Sequence, residues 1–367
     1  MADGESAAVD AEAEAMRVPF EAWLSERWPH AENLVVDAFE SPKSGFSAKT
    51  LFASIRYRRD GQALSERVVL RVENPDPAIY PQQAPGLDVE VELQYRVMEA
   101  LAKTEVAPLA PLIGYEGDTS VLGSQFFAMG HVSGQVTIEN PPYTQEGFFV
   151  DAAPEERRSM IEDGLRILAA VHSVDYKAAG FEWLVPPGST PGVEAQLDLW
   201  ELFGRQELRE RVHPTFDAGA AWLRANLPGS LENGFGWGDS RLGNIIFRDA
   251  RCICITDFEN AAIHPPEVDL GWWLMFDRTQ HECVGVQRLP GEPTRDDQRA
   301  LYESFAGRSV GDSYFFEVLA ALRYSAIVVR VMNRWVDRGM LPPDHEVWLR
   351  NPAANCLADL LELPLPE

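Results

Sequence analysis

Basic residues are scarce in this chain. Its 367 residues carry 32 lysines and arginines against 57 aspartates and glutamates, a formal net charge of −25. Nucleic acid, whose phosphates are bound by a surplus of Lys and Arg, is therefore not an expected partner. The charge is compatible with a cationic substrate and is explained as simply by solubility. Cysteine is also rare. Cys252, Cys254, Cys283 and Cys356 show no Cys-x-x-Cys or Cys–His spacing for zinc, so buried thiols in a reducing, cytoplasmic setting are expected. No run approaches the ~18 apolar residues of a membrane helix, and no membrane partner is expected. The opening MADGESAAVDAEAEAM lacks the basic-then-apolar order of a secretory signal; residues 1–16 read as a flexible acidic leader or a frayed helix. The rest of the composition is ordinary for a globular protein, 46% hydrophobic and 24% charged, and the chain is long enough for two lobes.

The densest polar chemistry lies between Gly236 and Phe276. Two apolar runs, 245–247 and 252–256, flank Arg248-Asp249-Ala250-Arg251, which is a hairpin signal. A turn near Ala250 pairs residue 245 with 256 and sets Asn244 opposite Asp257, with directly paired side chains about 5 Å apart. Two hard oxygen donors at one point suit Mg²⁺, which takes one or two carboxylates plus phosphate oxygens and water. Asp239 stands in D-x-x-x-x-N spacing with Asn244. A phosphoryl-transfer site needs an Asp to accept a hydroxyl proton, and an Asn and a second Asp for metal. Asp269, ahead of the apolar run Leu270–Phe276, could equally be a helix N-cap.

Gly238-Asp239-Ser240-Arg241-Leu242-Gly243-Asn244, then Asp257-Phe258-Glu259-Asn260-Ala261, then Asp269-Leu270 resemble the "HGD-x-R-x-GN … D-[WF]-E-x-A … DL" pattern of the aminoglycoside phosphotransferase-like small-molecule kinases. Trp237 stands where that family has His, as in a branch with a WGD-type loop. The resemblance spans roughly residues 33 to 340. It implies an α+β, protein-kinase-like two-lobed fold. A small antiparallel-sheet N-lobe (17–133) would cover the nucleotide, and a large, mostly helical C-lobe (134–367) would carry catalysis and substrate.

The order of elements agrees with this reading. Residues 17–29 have helical spacing. A strand over 33–40 leads through the loop Ser41–Lys49 to a second strand ending at Arg59. In that loop Gly45, Phe46 and Ser47 are candidates to cover phosphates with backbone N–H groups. Asp60-Gly61 is a hairpin turn, and 65–73 is the returning strand. Its alternation puts Val69, Arg71 and Glu73 on one face and Val68, Leu70 and Val72 on the other. Val69 would roof an adenine, and Arg71, in the place of the usual Lys, would hold phosphates bidentately. Residues 88–103 form a helix with Asp88 as N-cap and Val91, Tyr95, Met98 and Leu101 as its apolar stripe. The carboxylate expected to hold Arg71 falls at Gln94, with Glu92 and Glu90 beside it. Strands at 113–115 and 126–129 lead to a hinge at 129–134, where Met129 and His131 are nucleotide candidates. Helices follow over 155–173, 197–211, 215–227, 296–306 and 312–335, with a long irregular segment after Asp277. His172 reads as a packed structural histidine. Arg323 and Arg330 share one face of the last long helix. They either pair with acids of the catalytic lobe or serve as substrate contacts.

The resemblance implies ATP-dependent transfer of a γ-phosphoryl group to a hydroxyl of a small molecule. Asp239 would be the catalytic base, Asn244 and Asp257 the Mg²⁺ ligands, and Arg241, Glu259 and Asp269 supporting residues. Acceptors in that family range over antibiotics, choline-like amines, sugars and hydroxyacyl metabolites. The alternatives are a nucleotide-binding pseudokinase or scaffold and a Mg-dependent hydrolase. Homo-oligomerisation is left open.

Overall fold

A computed structural model describes residues 2–40, 48–83, 86 and 88–365. The chain divides into two compact units. The first comprises Met1–Ala78, Gly86–Glu99 and Leu109–Ser133; the second comprises Ile79–Pro85, Ala100–Pro108 and Gly134–Glu367. Among the described residues no helix is long and apolar enough to cross a membrane.

In the first unit, helix α1 (Ala2–Arg27) precedes strands β1 (Glu32–Val36), β2 (Lys49–Arg59) and β3 (Gln62–Val72), helix α2 (Glu90–Ala102), and strands β4 (Leu112–Glu116) and β5 (Phe126–Gly130). The strands form one antiparallel sheet ordered β1-β2-β3-β5-β4. The β2–β3 turn closes between Arg59 and Gln62. Asp60 and Gly61 both take positive φ, 51° and 76°, the backbone a two-residue hairpin turn needs to match strand twist. Strand alternation then buries Leu51, Ala53 and Ile55 with Val68, Leu70 and Val72, and α1 covers them with Ala13, Met16, Phe20, Trp23 and Leu24. The helix predicted over 17–29 starts earlier because Ala13 and Met16 extend this apolar stripe by another turn. At the start of α2, Glu73 supplies a carboxylate to the first backbone donors: Val91 N–H donates to it at 2.9 Å and Glu90 N–H at 3.3 Å. A residue just past the end of β3 has reached the orphan donors of a helix start, which local spacing does not reveal.

The second unit is mainly helical. It contains α3 (Phe148–Asp151), α4 (Pro154–His172), α5 (Val193–Leu208), α6 (Pro214–Ala225), β6 (Gly234–Gly236), β7 (Ile245–Arg248), β8 (Arg251–Ile255), β9 (Ala262–His264), α7 (Glu267–Gln280), α8 (Arg295–Ala306), α9 (Tyr314–Asp337) and α10 (Pro352–Leu360). Its core gathers Trp200, Phe216, Trp272, Met275, Leu319, Leu322 and Leu357 from five of these helices. Two short antiparallel pairs, β6–β9 and β7–β8, carry the polar stretch.

The structure corrects two expectations. Ile245 pairs with Ile255, not residue 256, because the turn is the two-residue Asp249-Ala250 with Arg248 opposite Arg251; without the irregularity between Ile246 and Phe247, Ile245 would face Cys254. Asn244 therefore lies opposite Thr256, whose N–H donates to its carbonyl at 2.9 Å. The segment after Asp277 is also not irregular throughout. Helix α7 continues to Gln280, and polar contacts pin the residues beyond it: Arg288 to Asp277, and His281 to Glu292 at 3.2 Å.

Helices α7 and α9 meet at Gly271. A Cβ there would lie 2.5 Å from the main-chain carbon of Phe316, too close for any rotamer change to relieve. Gly271→Ala should cost about 1–3 kcal/mol through forced separation of the helices, read as a lower Tm in calorimetry with the helical content kept.

Candidate active site

The site is assembled around one buried carboxylate. Asp269, in the first turn of α7, is 0% exposed and accepts the backbone N–H groups of Trp237 (2.6 Å) and Gly238 (3.1 Å). His172, from the end of α4, approaches Asp269 at 3.1 Å through Nε2 while its Nδ1 lies 2.7 Å from the Tyr302 hydroxyl. A ring protonated at Nε2 would donate to the carboxylate and accept from the phenol. Sequence spacing allows an N-cap at Asp269; the structure instead aims its side chain at the loop 32 residues upstream. Burial pushes the Asp269 carboxyl upward, but His264, His172 and Arg323 outweigh it and hold it at about 2.

Pinned in this way, the loop turns sharply. Gly238 has φ +89°, and a Cβ on it would lie 2.0 Å from the Asn260 carbonyl oxygen, so only glycine fits. The Gly238 carbonyl accepts from Asn260 Nδ2 and from Arg323 Nη2, each at 3.0 Å. Trp237, where the family pattern has His, is fully buried. Its indole N–H donates to the Thr256 carbonyl at 2.8 Å, which ties the loop to the β7–β8 hairpin.

Asp239 comes next, also 0% exposed. Its Oδ1 accepts from Trp272 Nε1 (2.7 Å) and Arg241 Nε (2.8 Å); its Oδ2 accepts from Asn244 Nδ2 (2.7 Å) and the Tyr80 hydroxyl (3.1 Å). Arg241 also pairs with Glu139 and lies over the Phe276 ring at 5.1 Å. These acids raise the Arg241 guanidinium well above its ordinary value, against the opposing effect of burial. Asn244 is buried, in the 3-10 turn Leu242–Asn244. Because its Nδ2 faces Asp239, its amide oxygen is directed elsewhere. Asp257 follows β8 in a left-handed conformation, φ 66°, uncommon for a residue other than glycine. Glu259 is buried two residues on. An amide oxygen and carboxylates on adjoining backbone are the donor set a hard divalent cation takes.

Several sequence candidates lie on the sheet of the first unit. Val69 pairs directly with Phe52 and Met129 across that sheet. The His131 ring meets Phe52 edge-on at 5.8 Å, and its backbone N–H donates to the Arg67 carbonyl. Arg71 donates to Thr50 Oγ1 at 3.0 Å and lies 3.9 Å from Glu90. Glu90, one of the three candidates on that helix, is thus a carboxylate beside that arginine. Gln94 donates to Glu90, and Glu92 faces Tyr115 and Arg96. Gly45, Phe46 and Ser47 lie outside the described residues. In the second unit, Arg330 pairs with Glu207 at 3.0 Å. Arg323 is 1% exposed and sits between the rings of Trp200 and Trp272, 4.8 and 4.5 Å away. It is therefore a support for the Gly238 turn, not an exposed contact. Burial, the largest influence, lowers its guanidinium to about 10. Sequence reasoning assigns no role to Tyr80, Trp272, Asn260 or Glu139. Only Trp272 leaves a trace in the sequence, three residues after Asp269 and hence on the same side of the helix.

Known proteins share this fold. The model of the phosphotransferase enzyme family matches residues 53–307. A Ralstonia eutropha crystal structure, described as a candidate aminoglycoside phosphotransferase, is 26% identical with a TM-score of 0.68, covering 94% of this chain and 97% of that one. The macrolide 2′-phosphotransferase of Brachybacterium faecium shares the fold, with a TM-score of 0.52 at 17% identity over 92% of this chain and 98% of its own. Among curated proteins, acyl-CoA dehydrogenase family member 11 of Rattus norvegicus is 25% identical over 86% of this chain and 39% of its own length. The chain thus spans about two-fifths of that relative.

Replacing Asp269 by Asn leaves one acceptor oxygen for two backbone donors and a histidine, and should cost about 3–5 kcal/mol as a broken buried charge cluster. The acid limb offers a second check. The folded carboxyl lies below its ordinary 3.8, so its stabilisation is present above about pH 4 and lost as pH falls toward 2. That is about 2 kcal/mol, which urea melts should register in the parent and not in Asp269→Asn.

Proposed function

The chain belongs to the phosphotransferase enzyme family, and we propose that it transfers the γ-phosphoryl group of ATP to a hydroxyl of a small molecule. The observation that carries this reading is the buried Asp239, hydrogen-bonded to Asn244 at 2.7 Å in a loop clamped by Asp269. Asp239 orients the acceptor hydroxyl and takes its proton late, since the transition state is loose and positioning dominates. Asn244, through its amide oxygen, and Asp257 would hold Mg²⁺, with Glu259 nearby. The ion, when bound, neutralises charge between the phosphates. Arg71, steadied by Thr50 and Glu90, is assigned to the non-transferred phosphates, and Val69, Met129 and His131 to the nucleotide base. Arg241 keeps Asp239 in its rotamer through the bond to Oδ1.

A second observation bears on the choice of acceptors to test. Curated relatives are named as acyl-CoA dehydrogenase family members, and the chain spans only part of each. The name favours a hydroxyl carried on an acyl chain over an amino sugar, and both classes belong in an acceptor screen.

Asp239→Asn should abolish transfer, a loss of about 10³-fold or more, while Mg-ATP still raises Tm. Loss of that shift in Asp239→Asn would count against its role as base. Asp257→Ala should instead lose the Mg²⁺-dependent part of the shift, in line with stabilisation by bound ligand. A parent that binds Mg-ATP and yields no ADP with any acceptor would be a nucleotide-binding pseudokinase.

A further inference from the structure

A carboxylate offers about four directions for accepting hydrogen bonds, and all four on Asp239 are used. Two donors, Arg241 and Asn244, belong to its own loop and have further anchors. Arg241 binds Glu139, and Asn244 Nδ2 also donates to the Asp239 carbonyl at 2.9 Å. A third, Trp272, is 1% exposed within α7 and packed against Arg323. The fourth is Tyr80, from the stretch that follows β3 by several residues. Its bond, 3.1 Å, is the longest of the four. Its donor is an uncharged hydroxyl, the same chemical group that an acceptor must bring within about 2.6–3.2 Å of the base.

We infer that the Tyr80 hydroxyl occupies the acceptor's place on Asp239, so that a true acceptor must displace it and water is kept out. The inference rests on Asp239 being the residue that takes the acceptor's proton. The Tyr80 stretch is seated by several contacts. Ile79 joins the apolar core. Gln83 donates to Asn260 Oδ1 at 2.8 Å and accepts from Gln196 at 3.1 Å. The Tyr80 ring meets Trp200 edge-on at 6.4 Å. Asn260 in turn holds the Gly238 carbonyl, so the stretch is bonded to the same loop it blocks. Asp239 is sealed, whereas Tyr80 as a residue keeps partial exposure, so of these two partners solvent meets Tyr80 and not Asp239. Burial and the nearby Asp239 push the phenol well above its ordinary range, which keeps it a neutral donor. Water, a lone hydroxyl donor, does not replace the ring's contact with Trp200. An acceptor with an apolar body beside its hydroxyl replaces both, so Tyr80 selects for that shape. It also limits idle hydrolysis of ATP.

The test is Tyr80→Phe in the full chain, which keeps the ring and leaves a hydroxyl-sized space beside Asp239 Oδ2. With saturating Mg-ATP and no acceptor, ADP release should rise at least about tenfold over the parent as water takes the vacated bond to the base. Tm and the Mg-ATP shift should be unchanged, and the double variant Tyr80→Phe/Asp239→Asn should return to background. Unchanged or slower ADP release from Tyr80→Phe, with the Mg-ATP shift intact, would overturn the inference and leave Tyr80 as a mere support of Asp239. An increase that persists in the double variant would also overturn it, because the water would not be acting through Asp239. Absence of any Mg-ATP shift in parent and variant alike would instead defeat the phosphotransferase reading, and the inference with it.

Discussion

The Asp269 carboxylate is the constraint on which the second unit's polar architecture depends. An ion with no solvent access is tolerated only when its lone pairs are filled, and here the loop backbone fills them. Trp237 and Gly238 N–H groups turn toward the charge, which forces the left-handed backbone at Gly238. That turn in turn exposes the Gly238 carbonyl to Asn260 and Arg323. The helix start supplies the charge, the charge shapes the loop, and the loop delivers Asp239. His172 and Tyr302 extend the same network to α4 and α8, so the loop is referenced to three helices rather than to its own sequence neighbours.

Asp239 shows the same logic one step further out. A buried carboxylate is held in one rotamer when donors reach it from several sides. Trp272, Arg241 and Asn244 do so from different directions. The arginine's charge is itself balanced by Glu139, so the cluster does not place a net cation beside Asp239. Arg323, sandwiched between two tryptophans, is accommodated as a flat, weakly hydrated cation, a role that a lysine's compact ammonium would fill poorly.

Much of the chain was legible from spacing. The left-handed Asp60-Gly61 turn, the alternation along β3 and the hairpin between 245 and 255 are local patterns whose physics acts over a few residues. The order Asp239, Asn244, Asp257, Asp269 was equally visible as a motif. The register of the hairpin was not, since neither the placement of the two-residue turn at Asp249-Ala250 nor the irregularity at Ile246–Phe247 leaves a compositional mark. Nor was the contact of Glu73 with the start of α2, because it comes from just past β3, 17 residues earlier. At Arg71 the sequence left Gln94, Glu92 and Glu90 open, and Glu90 is the one that lies 3.9 Å away. Glu90 and Gln94 share a helix face, and spacing alone does not choose between them.

By itself, then, the sequence determined which elements form and which polar groups are gathered on one loop and one hairpin. Periodicity, turn chemistry and motif order are properties of neighbouring residues, and they survive without knowledge of the fold. Tertiary structure alone decided what each polar group faces. Tyr80 and Asp239 are 159 residues apart, and Trp272 meets the same carboxylate from 33 residues on the other side. Burial made those meetings obligatory: a carboxylate removed from water takes whichever donors the packing brings to it.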